Sequence, residues 1–394
     1  MSQESQRALR KHINVLCRKI GSRMIGTPGD EKSAAYVEAH FLRLGLKVIS
    51  HVMPCTGWDL LSTKLRVDGR TFAAIGNMYS PAGKVRAPLV LSEPDIADGQ
   101  FRLLKGKAVA VYGDFAPFPS RLNGFALKAE HAGAACVIVI DTNPDTSATK
   151  LIRELALERM PVASVSLNTG YRLAKLVGRQ AEFQVEASRY KSETRDVIGI
   201  MDGGPREICI EAHRDSAPDT PAADDNGSGT AVLLELARLL SRSKLRRTIR
   251  FVSATFEEFG NIGTPVYAKK FAAELKKIDL MVNADCVGGA LCPLRVFVHK
   301  YDTVLPLVRR TLRSFPSLKL VLTDTRTYGH ISDHLDPSVN AVNVINDWAN
   351  ARIHTAKDEP SNLSDARMAD AAEFIRDLVE NFDRKPLAAR RGSQ

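Results

Sequence analysis

From about residue 195 onward the chain repeats one rhythm: a short apolar run, a loop, then an amphipathic stretch. Strand-like runs fall at 208–212, 249–254, 280–284, 318–322 and 342–345, with helical patterns at 227–240, 264–276, 303–314 and 360–382. In 227–240, Val232, Leu233, Leu236, Leu239 and Leu240 recur on one helical face. Strands alternating with helices predict an α/β fold, a mostly parallel sheet sandwiched by helices on both faces. In such a sheet a site forms beyond the carboxyl ends of the strands.

The first 200 residues read differently. Residues 8–45 predict two helices around the turn at 23–29, where Thr27 or Asp30 can cap the second helix, and a strand follows at 46–53. Between 60 and 185 the pattern changes to short strands (62–67, 87–91, 107–112, 135–140, 162–165) with a helix at 125–132. That stretch holds a single histidine, His131, and no clustered carboxylates. It is expected to be a mainly β inserted domain, leaving 1–59 and 186–394 as the catalytic domain. The expectation is a lobe that overhangs the site, contributes no metal ligand, and offers Arg121 and Lys128 as contacts for an acidic substrate.

Length suits this division, since 394 residues exceed one ordinary core. No apolar run reaches the roughly 20 residues that span a bilayer. Residues 1–21 are polar and then amphipathic, unlike a signal peptide, so the expected location is cytoplasmic, or secreted if a leader was removed. The six cysteines are scattered without a Cys-x-x-Cys pair, which argues against zinc fingers and a disulfide framework. The net charge of +10 is dispersed and accompanied by no nucleic-acid motif, so neither a nucleic acid nor a membrane is expected as partner.

Polar residues gather where the α/β reading places strand ends: His213 and Asp215, then Asp224-Asp225 before Gly227-Ser-Gly229, Glu257-Glu258, Asp285, and His354. Each alone has a plain alternative. His213 suits a structural histidine, Asp224 and Asp225 suit a helix cap, Glu257 and Glu258 suit a solvated loop, and Asp285 suits a buried hydrogen-bond partner. Converging on one sheet edge, these carboxylates would repel one another unless protonated or bound to metal. Mixed histidine and carboxylate donors suit zinc, with manganese or cobalt as alternatives.

The order of the blocks carries a resemblance. His-x-Asp, Ala-Asp-Asp-Asn-x-Ser-Gly, Glu-Glu-x-Gly, Asn-x-Asp-x-Val-Gly, Ser-Asp-His and Ile-His-Thr-x-x-Asp follow one another over about 195–360. This sequence resembles the di-zinc aminopeptidase family that includes bacterial leucyl aminopeptidase and glutamate carboxypeptidase. Residues 85–170 are similar to the protease-associated domain inserted in some of its members. The resemblance implies a zinc-exopeptidase-like fold holding two Zn2+, with His213 and Asp285 on one ion, Glu258 and His354 on the other, and Asp224 bridging. It also implies Glu257 as general base on a metal-activated water, Asp215 orienting the His213 imidazole, and a cis peptide between Asp224 and Asp225. Glu257 and Glu258 are expected to point to opposite sides of an extended segment.

Ser332-Asp333-His334 is not a catalytic triad, because three consecutive residues rarely present mutually bonded side chains. Tyr328 and His330, just upstream, are candidates to steady a tetrahedral oxyanion or to form pocket wall. After this triplet the chain departs from the family, with 335–341 replacing the usual Pro-Phe and Gly-Ile-Pro segments, so substrate preference does not carry over. The expected activity is release of amino-terminal residues from peptides or small amides. Carboxypeptidase, dipeptidase or N-acyl amidase action on the same metals is the alternative, and a non-catalytic binding protein is the reading from another class.

Overall fold

The computed structural model describes residues 3–112, 119–152, 155–291, 293–324, 339–346 and 352–384. Among the described residues fourteen strands run in chain order: β1 (Lys47–Val67), β2 (Arg70–Phe72), β3 (Ile75–Gly76), β4 (Gly83–Ser92), β5 (Ala108–Tyr112), β6 (Cys136–Ile140), β7 (Val162–Val165), β8 (Gln180–Met201), β9 (Gly204–His213), β10 (Arg247–Ala254), β11 (Ile278–Asp285), β12 (Leu294–His299), β13 (Leu318–Thr323) and β14 (Asn340–Asn346). The helices are α1 (Gln3–Ile13), α2 (Pro28–Arg43), α3 (Pro119–His131), α4 (Leu167–Ala174), α5 (Gly229–Leu240), α6 (Gly263–Lys270), α7 (Ala272–Leu275), α8 (Leu305–Leu312) and α9 (Asp365–Asp383).

Strand order is β13-β12-β14-β11-β9-β10-β8-β4-β5-β6-β7-β3. The central strands β10, β9, β11 and β14 are mutually parallel, as the strand-helix alternation predicts. One face buries Leu233, Leu234, Leu236 and Leu240 of α5 with Phe374, Ile375 and Leu378 of α9. Truncating one such leucine to alanine would cost roughly 2–5 kcal/mol. The other face packs Cys209, Val252 and Met281 under Tyr267 of α6, Leu275 of α7 and Phe271 between the two helices. Ser364 caps α9, its hydroxyl accepting from the Arg367 N–H, whereas Thr27 makes no side-chain cap to α2.

The stretch expected to be mainly β is itself α/β. Strands β4 to β7 are parallel, with one apolar cluster on each face, the second lined by Leu122, Phe125 and Ala126 of α3. Its apolar strands alternate with helices just as the later ones do. The two lobes are also continuous: β1 and β8 pair antiparallel from Lys47↔Ile200 to Val67↔Ala181, through the expected boundaries near 59 and 185. The far half of β8 pairs with β4 and the near half with β10. A register shift between Leu60 and Ser62 is the local irregularity at that junction.

Cys17, Cys136, Cys209 and Cys286 are buried free thiols and Cys55 is partly buried. No helix among the described residues is long and apolar enough to cross a membrane.

Candidate metal centre

Register brings the polar strand ends together. Ala254 of β10 pairs with His213 of β9, and Asn283 of β11 with Glu211, so His213 and Asp285 leave neighbouring strands at the same edge. The 223–229 loop is then sewn to β11. Asn226 Nδ2 donates to the Ala284 carbonyl (3.0 Å), Asn226 Oδ1 accepts from the Cys286 (3.1 Å) and Gly229 (2.8 Å) amides, and Ser228 Oγ accepts from Val287 (2.9 Å). A Cβ at Gly229 would lie 2.3 Å from the Ala284 carbonyl oxygen, so only glycine lets the loop approach this closely.

This stitching presents Asp225 to both sides of the site. Asp225 Oδ1 lies 3.2 Å from His213 Nε2, which is also 3.3 Å from Asp285 Oδ1. Asp225 Oδ2 lies 2.9 Å from His354 Nε2, which is 3.2 Å from Glu258 Oε2. Two groups result, His213-Asp225-Asp285 and Asp225-Glu258-His354, each with ligand atoms within 4.8 Å of one another.

The shared carboxylate is therefore Asp225, and the expectation that Asp224 bridges is corrected. Asp224 turns away: its Oδ1 accepts from the Gly288 amide (3.0 Å) and its Oδ2 from Asn346 Nδ2 (2.6 Å). Motif spacing alone does not say which of two consecutive carboxylates faces the histidines. The same one-residue offset applies to the cis peptide, which lies between Asp225 and Asn226.

Asp215 is fully buried, its carboxylate 3.5 Å from His213 Nδ1, while its Oδ2 accepts from the Glu258 amide (3.0 Å). It thus ties the histidine to the Glu257–Phe259 turn. That turn is a 3-10 helix entered through Phe256 at φ 69°, not the extended segment expected. Even so, Glu258 is fully buried while Glu257 keeps a side-chain exposure of 21%.

Four residues around the site carry no role in the sequence reading, Asp358 entering it only as the last residue of the Ile-His-Thr-x-x-Asp block. Asp358, in the loop after His354, accepts from the Asp224 amide (3.1 Å) and the Asp225 amide (3.1 Å), fixing the backbone of the shared carboxylate. Arg23 is fully buried and donates to the carbonyls of Arg214 (2.9 Å), Pro221 (3.0 Å) and Ala222 (2.8 Å), and Arg214 pairs with Asp30 at 2.7 Å. Lys150 comes from the other lobe: its ammonium bonds Glu258 and lies 4.0 Å from Glu257. Arg121 and Lys128, expected as substrate contacts, are exposed and pair with Asp95 and Asp98. Tyr328, His330 and Ser332-Asp333-His334 lie outside the described residues.

The electrostatics of the cluster favour positive charge. Burial alone would lower His213, but the Asp285 charge and bonds to Asp215, Asp225 and Asp285 hold it well above the usual histidine range. Against the same burial, Glu258 raises His354 to about 9, and the two histidines hold Asp225 well below the carboxylate range. Burial pushes Glu257 up to about 7, opposed by Lys150 and His213 and reinforced by Glu258 and Asp285. Burial, with the nearby Asp224 charge, raises Asp358 to about 8. Two histidines and three carboxylates in this arrangement fit two divalent cations, each with three donors and one donor shared.

The sequence model of peptidase family M28 matches residues 196–379, which contain every member of both groups. Aminopeptidase YwaD of Bacillus subtilis is 28% identical over 399 residues, covering 92% of this chain and 82% of that protein. The probable lipoprotein aminopeptidase LpqL of Mycobacterium tuberculosis is 28% identical over 303 residues, covering 74% of this chain and 59% of its own length. The solved structure of BSAP, a zinc aminopeptidase from Bacillus subtilis, superposes with a TM-score of 0.79 at 24% identity, over 96% of this chain and 95% of that one. That likeness extends the shared fold across both lobes. The donor cluster thus lies wholly inside the region that resembles peptidase family M28.

Proposed function

We propose that the protein is an aminopeptidase using two metal ions, zinc in the first instance, to release amino-terminal residues from peptides or small amides. The carrying observation is the placement of Asp225, whose two oxygens each face a different histidine-carboxylate pair. His213, Asp225 and Asp285 would hold one ion, and Asp225, Glu258 and His354 the other. Bound there, the ions supply Lewis-acid polarisation of the scissile carbonyl and acidification of the attacking water. The names of YwaD and LpqL favour the amino-terminal direction of attack.

The chain's own residues perform the proton work. Glu257 is partly exposed and raised toward neutrality, which suits a group that takes a proton from water and returns it to the leaving amine. Asp215 positions the His213 ring, fixing which nitrogen faces the cluster. Asp224, with Gly288 and Asn346, anchors the loop that presents Asp225. We read residues 60–185 as an inserted domain similar to protease-associated domains, contributing Lys150 to the wall of the site.

The test is a substrate panel on zinc-loaded protein: aminoacyl amides, amino-blocked peptides and free dipeptides. The reading predicts chelator-sensitive hydrolysis of unblocked amides and none of blocked ones. Preferential cleavage of blocked substrates would replace it with amidase or carboxypeptidase action.

A further inference from the structure

Lys150 is the feature of the site that the proposed reaction does not use. It sits in a segment pinned on both sides. The Thr149 amide donates to the His354 carbonyl (2.9 Å), the Thr149 hydroxyl to the Pro218 carbonyl (2.8 Å), and the Met78 amide to the Thr149 carbonyl (2.7 Å). The amides of Leu151 and Ile152 both donate to the buried Asn77 side chain, at 3.0 and 2.9 Å. The Lys150 side chain is 7% exposed, so its charge is delivered to a fixed place.

That place is one oxygen of Glu258. The other oxygen, Oε1, accepts from the Ala217 amide (3.1 Å). Oε2 takes the Lys150 ammonium and is also the oxygen 3.2 Å from His354 Nε2. A cation drawing on Glu258 from the cluster side must therefore use the oxygen that already carries an ammonium. Glu258 belongs to the second group, with Asp225 and His354, and not to the first.

We propose that Lys150 is a built-in competing cation that makes the Asp225-Glu258-His354 position the weaker of the two metal sites. It thereby ties the filling of that site to the lobe that carries it. This inference rests on the two-metal reading. A divalent ion at the second position must displace the ammonium from Oε2 and then remain beside it, and like charges at such range in a buried setting repel strongly. The first position does not draw on Glu258. Loading is then ordered, with His213, Asp225 and Asp285 filled first. The second ion binds only over a higher range of free metal, so the enzyme responds to metal supply.

The experiment is equilibrium titration of the chelator-stripped full chain with zinc alone, read by a competing chromophoric chelator. Wild type, Lys150→Met, Lys150→Gln and Lys150→Arg are compared, and melting curves establish that each is folded. Expected are two dissociation constants at least tenfold apart in wild type. In the Met and Gln variants the weaker should tighten at least tenfold while the tighter moves less than threefold, and Lys150→Arg should stay near wild type. Unchanged constants in the Met and Gln variants, or an Arg variant that behaves like them, would overturn the role of Lys150 while leaving two sites in place. A total below two equivalents in all four proteins would instead overturn the two-metal reading, and this inference with it.

Discussion

Asp224 and Asp225 are consecutive in the chain, yet their carboxylates serve different networks: Asp225 faces His213 and His354, while Asp224 accepts from Gly288 and Asn346. The pair divides the labour of the loop, one residue presenting charge to the site and the other fastening the loop to the ends of β11 and β14. The two aspartates therefore have separable mutant phenotypes.

Asp225→Ala removes the carboxylate common to both groups. It should reduce bound zinc well below two equivalents, measured by atomic emission, and abolish detectable turnover. Asp224→Asn instead sets an amide against the Asn346 amide and should cost about 1–3 kcal/mol of stability, measured by urea unfolding, with zinc stoichiometry kept near two. The opposite pattern would return the bridging role to Asp224.

Glu257→Gln keeps the shape of the side chain and removes the proposed proton acceptor. Turnover of an aminoacyl amide should fall about 10²–10⁴-fold with metal content unchanged. A variant retaining wild-type turnover would mean that another group takes the proton.

Asp358 holds the backbone amides of Asp224 and Asp225. Asp358→Ala should weaken zinc binding about 10–100-fold, the range for loss of a group that orients a ligand. Zinc titration of the stripped protein reads this directly, and wild-type affinity would show that Asn226 and Ser228 suffice to place the loop.

Away from the site, His12 is buried beside His40 and bonded to Tyr36 at 2.8 Å, and burial with the neighbouring cations lowers it to about 3. Below its ordinary value of 6.5 the unfolded chain binds a proton that the folded chain refuses, so stability falls as pH drops from 6.5 toward 3. The slope from this residue is about 1.4 kcal/mol per pH unit. Between pH 7 and 5, His12→Gln should therefore lose about 2 kcal/mol less stability than wild type in urea unfolding. Equal losses would contradict the buried neutral histidine.

The parallel sheet was legible because a helix must follow each buried strand, so the alternation of apolar runs and amphipathic stretches carries the topology. That His213, Glu258, Asp285 and His354 gather at one place was legible only in combination, from the ordered motif blocks that carry the resemblance, since each alone has a plain alternative. The choice between Asp224 and Asp225 was not, since it depends on how Asn226, Ser228 and Asp358 grip the loop from other parts of the chain. Lys150 was still less accessible: it meets Glu258 across 108 positions of sequence, from a segment without a motif, and only the packing of the two lobes brings it there. The α/β character of 75–176 is less legible, because the sequence marks one helix there, at 125–132, and not the shorter α4.

The most direct test of the two-metal centre is anomalous diffraction at the zinc edge from crystals of the zinc-loaded protein. Two peaks about 3.5–4 Å apart, one on each side of the Asp225 carboxylate, with His213 and Asp285 at the first and His354 and Glu258 at the second, are the predicted result. A single peak, or peaks that Asp225 does not separate, would contradict it.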